Sequence, residues 1–167
     1  MTIVCRAMTS ADIVDVVRIQ AEAYVDEILE EEAVIRARFT AVPECAWVVE
    51  FNQRVSGYLV AYQTPLGKLT PWGGDFIHDY HASNLYLHDL AMSSTVRGMG
   101  LGPQLVDYAL AEAKRRQLNS VALISVQGSQ GFWQKLGFSI LSISDREQHE
   151  NLMSYTGPAI YMARTIV

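Results

Sequence analysis

Cysteine is nearly absent. Only Cys5 and Cys45 occur in 167 residues, too few for a disulfide framework. Neither belongs to a C-x-x-C pair, which excludes a zinc ribbon and a dithiol redox motif. Charge is also sparse, at 19% of residues, below the roughly 25% usual for soluble domains. With half of the residues apolar, that balance excludes a disordered chain and supplies one sizeable core. No apolar run approaches the ~18 residues of a membrane-spanning helix, so no membrane partner is expected. Basic residues are outnumbered, 13 against 18, for a net charge of −5. A generic basic coat for nucleic acid is thereby excluded. The opening Met1–Arg6 lacks the charged-then-apolar layout of a secretion signal, so the expectation is a cytoplasmic protein.

The acidity is local. Residues 1–50 hold 4 basic and 10 acidic side chains, whereas residues 51–167 hold 9 and 8. Residues 2–7 read as a short strand. Thr9-Ser10-Ala11-Asp12 then has capping-box character and opens a helix, on which Ile13, Val16, Val17 and Tyr24 recur at helical spacing. A second helix is expected over about Glu30–Phe39, its leading glutamates suited to the positive end of the helix dipole. Residues 46–51 and 55–62 are β-rich runs on either side of Asn52-Gln53-Arg54, the pattern of a hairpin. Residues 63–84 contain Pro65, Pro71 and three glycines and read as a long loop, a length often tied to function. His78 and His81 lie in it without an evident third ligand, so no metal is expected. Strands follow at 85–92 and 120–126, with a glycine-rich turn over 98–102 and a helix over 101–117 between them. A short helix over 129–136 and closing strands over 138–144 and 158–166 complete a single α/β domain, 1–167.

The segment that carries chemistry starts at Tyr86-Leu-His-Asp-Leu-Ala-Met92. It continues through Arg97-Gly98-Met99-Gly100-Leu101-Gly102 directly into a helix. Glycines let the backbone take positive φ and approach a ligand closely. A helix N-terminus offers N–H groups without intrahelical partners and a positive partial charge, together a site for phosphate. Arg97 adds a full charge beside it. A P-loop would need a Lys after its last glycine, and none is there. A Rossmann fingerprint needs G-x-G-x-x-G; the spacing here is G-x-G-x-G, and Ser125-Val126-Gln127 lacks the acid that fingerprint calls for.

Arg97-x-x-Gly100-x-Gly102 after a strand resembles the acetyl-CoA signature of the GNAT superfamily of N-acetyltransferases. Gly131-Phe-Trp-Gln-Lys-Leu-Gly-Phe138 resembles the late helix and Gly-Phe of the same family, and the likeness extends over most of the chain. The Leu-His-Asp-Leu-Ala segment is loosely similar to the aralkylamine-acetylating branch. The resemblance implies a mixed, mostly antiparallel central sheet flanked by helices, with a splayed parallel strand pair (85–92 and 120–126) that holds CoA. It implies acetyl-CoA as co-substrate, its diphosphate on the backbone of Arg97, Gly98, Met99, Gly100, Leu101 and Gly102. The pantetheine arm would bond backbone groups of Leu90, Ala91 and Met92. The reaction implied is direct attack of an amine on the thioester. Family members often dimerise, so a homodimer is an expectation.

An acceptor amine arrives protonated, and a base must remove the proton. The family often places its base at the positions held here by Tyr86 and His88, and histidine titrates in the right range. His88 is therefore the expected base and Asp89 the second candidate, with a core histidine paired to Asp89 as the competing reading. The family's usual acid tyrosine is replaced by Trp133, whose indole N–H only hydrogen-bonds. Trp133 is expected to pack against the pantetheine arm or the core, and a thiolate with a thiol pKa near ~8.5 leaves without much help. The acidic first third makes a small cationic amine the expected acceptor. The alternatives are a non-catalytic acyl-CoA-binding sensor and an acetyltransferase acting on a protein N-terminus or lysine; no nucleic-acid partner is expected.

Overall fold

Apolar periodicity at the start of the chain becomes a packed helix. In the computed structural model, which describes residues 1–166, β1 (Ile3–Ala7) leads into α1 (Ile13–Ala23). The Thr9 N–H donates to the Asp12 carboxylate at 2.8 Å, as the capping-box pattern anticipates. Ile13, Val16 and Ile19 are buried to 1% exposure or less and pack with Met8, Val48, Val55 and Tyr58. Burying each such aliphatic side chain is worth about 1.5–3 kcal/mol against leaving it in water. α2 (Glu32–Ala41) follows, starting two residues later than its glutamates suggested. β2 (Ala46–Phe51) and β3 (Arg54–Gln63) form the expected hairpin. Its loop is two residues, Asn52 and Gln53, both at positive φ (50° and 67°), as a tight primed turn requires.

β4 (Asn84–Met92), α3 (Leu101–Arg115) and β5 (Ser120–Ser125) come next. They are followed by α4 (Gln130–Lys135), β6 (Ser139–Ile140), α5 (Arg146–Met153) and β7 (Ile160–Thr165). The seven strands form a mixed sheet in the order β1-β2-β3-β4-β5-β7-β6. The pairs β1–β2, β2–β3, β5–β7 and β6–β7 are antiparallel, and β4–β5 is parallel. Parallel pairing runs from Asn84↔Ser120 to Leu87↔Leu123 and stops there, although β4 continues to Met92.

Two elements depart from the sequence reading. The strand expected over 138–144 shrinks to Ser139–Ile140, both exposed. Residues 146–153, left without an element, form α5, capped by the Asp145 carboxylate on the Gln148 N–H at 3.0 Å.

The chain divides into two compact units, residues 1–61 with 89–109 and residues 62–88 with 110 onward. In the first, α1 and α2 accompany β1, β2 and most of β3. In the second, α5 pins the long loop over 64–83. Leu69 N–H donates to Gln148 Oε1 at 2.9 Å, Trp72 N–H to Ser154 Oγ at 2.8 Å, and Tyr155 OH to the Thr70 carbonyl at 2.9 Å. The loop is therefore an ordered wall. No helix among the described residues is long and apolar enough to cross a membrane.

Candidate active site

In the first unit, Asp89 is the best-organised of the expected residues. Its two carboxylate oxygens each accept a phenol, Tyr24 OH on Oδ1 and Tyr58 OH on Oδ2, both at 2.6 Å. Hydrogen bonds of this length to an ionised acceptor are the strong kind. The Tyr24 hydroxyl also lies 2.9 Å from the Leu90 carbonyl. Burial, and then the Asp89 charge, push both phenols well above their ordinary range, so they stay protonated donors. Tyr24 reaches Asp89 because α1 ends at Ala23 and the backbone of Tyr24 turns extended (φ −119°). Met92, at the end of β4, lies over Gly57. A Cβ at position 57 would meet the Met92 thioether at 2.4 Å and Val49 at 2.9 Å, so a larger residue there would displace the Met92 side chain.

The same unit carries the glycine turn. After β4, a short 3-10 turn over Ser94–Val96 leads to Arg97, which is exposed. Gly98 and Gly100 take φ of 77° and 80°, and nothing lies within 4 Å of where a Cβ would be on either. Both glycines thus serve backbone conformation and an open face rather than packing. α3 begins at Leu101; Pro103 in its first turn carries no N–H and the Gln104 N–H donates to the Gly100 carbonyl at 3.4 Å, so Leu101 and Gly102 supply the N–H groups at the start of the helix. Leu90, Ala91, Met92 and the Arg97–Gly102 turn belong to one compact unit.

In the second unit, Tyr86 and His88 enter an aromatic cluster. The His88 ring meets Phe76 edge-on at 4.7 Å, Phe76 stacks on Tyr62 at 4.5 Å, and Tyr62 lies 5.1 Å from Tyr86. His88 is half-buried; Tyr86 is 1% exposed, and burial drives its phenol well above the ordinary range. His88 and Asp89, consecutive on β4, thus have different neighbours, Phe76 for one and two tyrosines for the other. Trp133 also belongs to the second unit. It is buried, with edge-on contacts to Phe132 (4.9 Å) and Phe138 (5.5 Å).

The loop histidines have local partners. His78 Nδ1 accepts the Gln63 N–H at 3.0 Å, and the His81 N–H donates to the Asp79 carboxylate at 2.9 Å. No group of three or more His, Cys, Asp or Glu is placed to hold a metal ion among the described residues. A cavity of about 670 Å³ lies between the loop and α5, with Tyr62, Leu69, Thr70, His78, Glu147 and Asn151 on its walls.

Sequence reasoning passed over Tyr58, Phe76 and Tyr155, and placed Tyr24 on the first helix, which ends one residue earlier at Ala23. Tyr24 and Asp89 are 65 positions apart, and no local pattern pairs a helix-end tyrosine with a strand aspartate.

The family model described as Acetyltransferase (GNAT) family matches residues 13–138. Among solved structures, Ard1 from Thermoplasma volcanium is 19% identical with a TM-score of 0.72, covering 100% of this chain and 99% of that one. The PaiA N-acetyltransferase from Thermoplasma acidophilum, solved with coenzyme A, is 12% identical with a TM-score of 0.71, covering 99% of each chain. The GphF GNAT-like decarboxylase, solved with isobutyryl-CoA, is 16% identical with a TM-score of 0.77, covering 98% of this chain and 100% of that one. At these identities the likeness is one of fold. No curated protein sequence matches the chain.

Proposed function

The chain belongs to the acetyltransferase (GNAT) family, and on that basis we propose that it transfers the acetyl group of acetyl-CoA to the amine of a small cationic acceptor by direct attack. We read residues 1–167 as a single acetyltransferase domain acting in the cytoplasm. The observation that carries the reading is the path from Leu90–Met92 into the Arg97–Gly102 turn. Its glycine faces are open, its arginine is exposed, and it ends on the first N–H groups of α3. That combination suits a diphosphate, because helix-start N–H groups, the helix dipole and a nearby guanidinium each favour an anion. Solved relatives of the same fold hold coenzyme A or an acyl-CoA.

The thioester supplies an activated acetyl group and a thiolate leaving group. The chain's own contribution is binding, orientation and proton transfer. His88 takes the proton of the acceptor ammonium, directly or through water, and frees the lone pair that attacks the carbonyl carbon. Asp89 is less suited to that role, since both of its oxygens already accept phenols at 2.6 Å. The tyrosines are poor acids for the departing thiolate, because ionising either one would set a phenolate against the Asp89 carboxylate. The thiolate therefore leaves unassisted or takes its proton from solvent.

The acceptor class rests on charge. Ten of the 18 acidic residues precede position 51, and Glu30 is hydrogen-bonded through its backbone N–H and carbonyl to the Gln20 side chain. A CoA-release assay across di- and polyamines, arylalkylamines, neutral amines, amino acids and peptide N-termini tests it. Cationic acceptors should give the highest kcat/KM. A preference for anionic or peptide acceptors would reject the acceptor class while leaving the transferase reading intact.

A further inference from the structure

Glu22 sits in the last turn of α1 and reaches residues that lead into the glycine turn. Its Oε2 accepts the Ser93 hydroxyl at 2.7 Å, the Ser94 N–H at 2.7 Å and the Ser94 hydroxyl at 3.0 Å. Its other oxygen accepts Arg18 Nη1 at 3.0 Å. Its backbone carbonyl accepts Arg97 Nη2 at 2.8 Å. One residue thus holds the start of the 3-10 turn with its side chain and the arginine of the signature with its main chain. These donors, the Ser93 hydroxyl foremost, bring the Glu22 carboxyl down to about 2, so its charge is permanent at neutral pH.

That charge is out of place on electrostatic grounds alone. A carboxylate tied to the approach of an anion-binding turn repels the anion it is meant to receive. Arg18 offsets part of the repulsion, and Arg97 keeps further guanidinium N–H groups beyond the one bound to Glu22. A glutamate at this place makes sense if its geometry matters more than its charge.

We propose that Glu22 is a positioning residue for the cofactor: through Ser93, Ser94 and Arg97 it fixes the turn that receives the CoA diphosphate. The inference rests on the reading of the Arg97–Gly102 turn as the CoA site. It assigns Glu22 a role in affinity for acetyl-CoA and none in the chemistry of transfer.

The two effects of the charge predict opposite signs, and Glu22→Gln separates them. Glutamine keeps the size and removes the charge, but its amide presents an N–H₂ group where one carboxylate oxygen accepted. If positioning dominates, the Kd for CoA by calorimetry rises about five-fold or more, and KM for acetyl-CoA rises with it. kcat should move by less than about two-fold, the pattern of lost uniform binding. Affinity that is unchanged or tighter in Glu22→Gln overturns the proposal. Ser94→Ala, at an exposed serine, removes one of the same bonds and should weaken CoA binding in the same direction. It decides the matter if Glu22→Gln fails to fold, as judged by thermal unfolding. Added to Glu22→Gln it should change Kd little further, since both act through one contact. Wild-type protein that binds no CoA would instead overturn the reading of the turn itself.

Discussion

Tyr58→Phe isolates one hydrogen bond with almost no change of shape. Tyr58 is 1% exposed and packs in the first core, so phenylalanine fills the same space and leaves no cavity. What is lost is the 2.6 Å bond to Asp89 Oδ2. A bond to a charged acceptor is worth about 1.5–3 kcal/mol. For a chain of this size, about 1 kcal/mol moves Tm by roughly 2–4 °C, so a fall of about 3–12 °C is expected. The assay is thermal unfolding by circular dichroism at neutral pH, beside Tyr24→Phe, Asp89→Asn and the Tyr58→Phe/Asp89→Asn double variant. The double variant should be less destabilised than the sum of its singles, because both remove the same bond. A second signature is alkaline. A phenol held above its unfolded pKa adds stability that is complete below about pH 10 and lost as pH rises through the folded value. The gap between wild type and Tyr58→Phe should therefore narrow above about pH 10. A Tm change under about 1 °C, or full additivity, would refute the Tyr24–Asp89–Tyr58 arrangement as a source of stability.

Other outcomes follow from the site. His88→Ala should lower turnover by roughly 10²–10⁴ with CoA binding intact; unchanged turnover would remove His88 from the mechanism. Trp133→Phe should keep substantial activity, since Trp133 packs edge-on with Phe132 and Phe138; complete loss with CoA still bound would contradict that. Gly100→Ala meets no steric clash but forces φ of 80° on a residue with a Cβ, a strain of about 1–3 kcal/mol. It also fills the open face of the turn, so KM for acetyl-CoA should rise; an unchanged KM would argue against backbone contact there.

Much of this was legible from local pattern. The hairpin at Asn52-Gln53 follows from two β-rich runs around a polar pair, and α1 from apolar residues at helical spacing. The turn over 97–102 was legible because its glycines serve backbone conformation, which sequence displays directly. α5 was not legible. Its residues, Arg-Glu-Gln-His-Glu-Asn-Leu-Met, are polar almost all round, so no apolar stripe announces a helix. Its stability comes from the Asp145 cap and from bonds to a loop some eighty positions earlier. The closing strand was overread for the opposite reason. Phe138–Ser144 has strand-like composition, yet ladder pairing on β7 covers Ser139 and Ile140, with one further bond from the Leu141 N–H to the Tyr161 carbonyl at 3.0 Å. The clamp on Asp89 spans 31 and 65 positions and the contacts of Glu22 with Ser93, Ser94 and Arg97 span 71 to 75, distances at which sequence pattern carries no pairing information.

The measurement closest to the central assignment follows the acetyl group itself. Purified protein is incubated with acetyl-CoA labelled in the acetyl carbons and a small di- or polyamine, and the products are resolved by mass spectrometry. Acetyl transfer requires labelled N-acetyl amine to accumulate in step with free CoA, and the His88 assignment predicts a rate lower by roughly 10²–10⁴ in His88→Ala. CoA released without acetylated amine, or no release with any acceptor while CoA still binds, would contradict it.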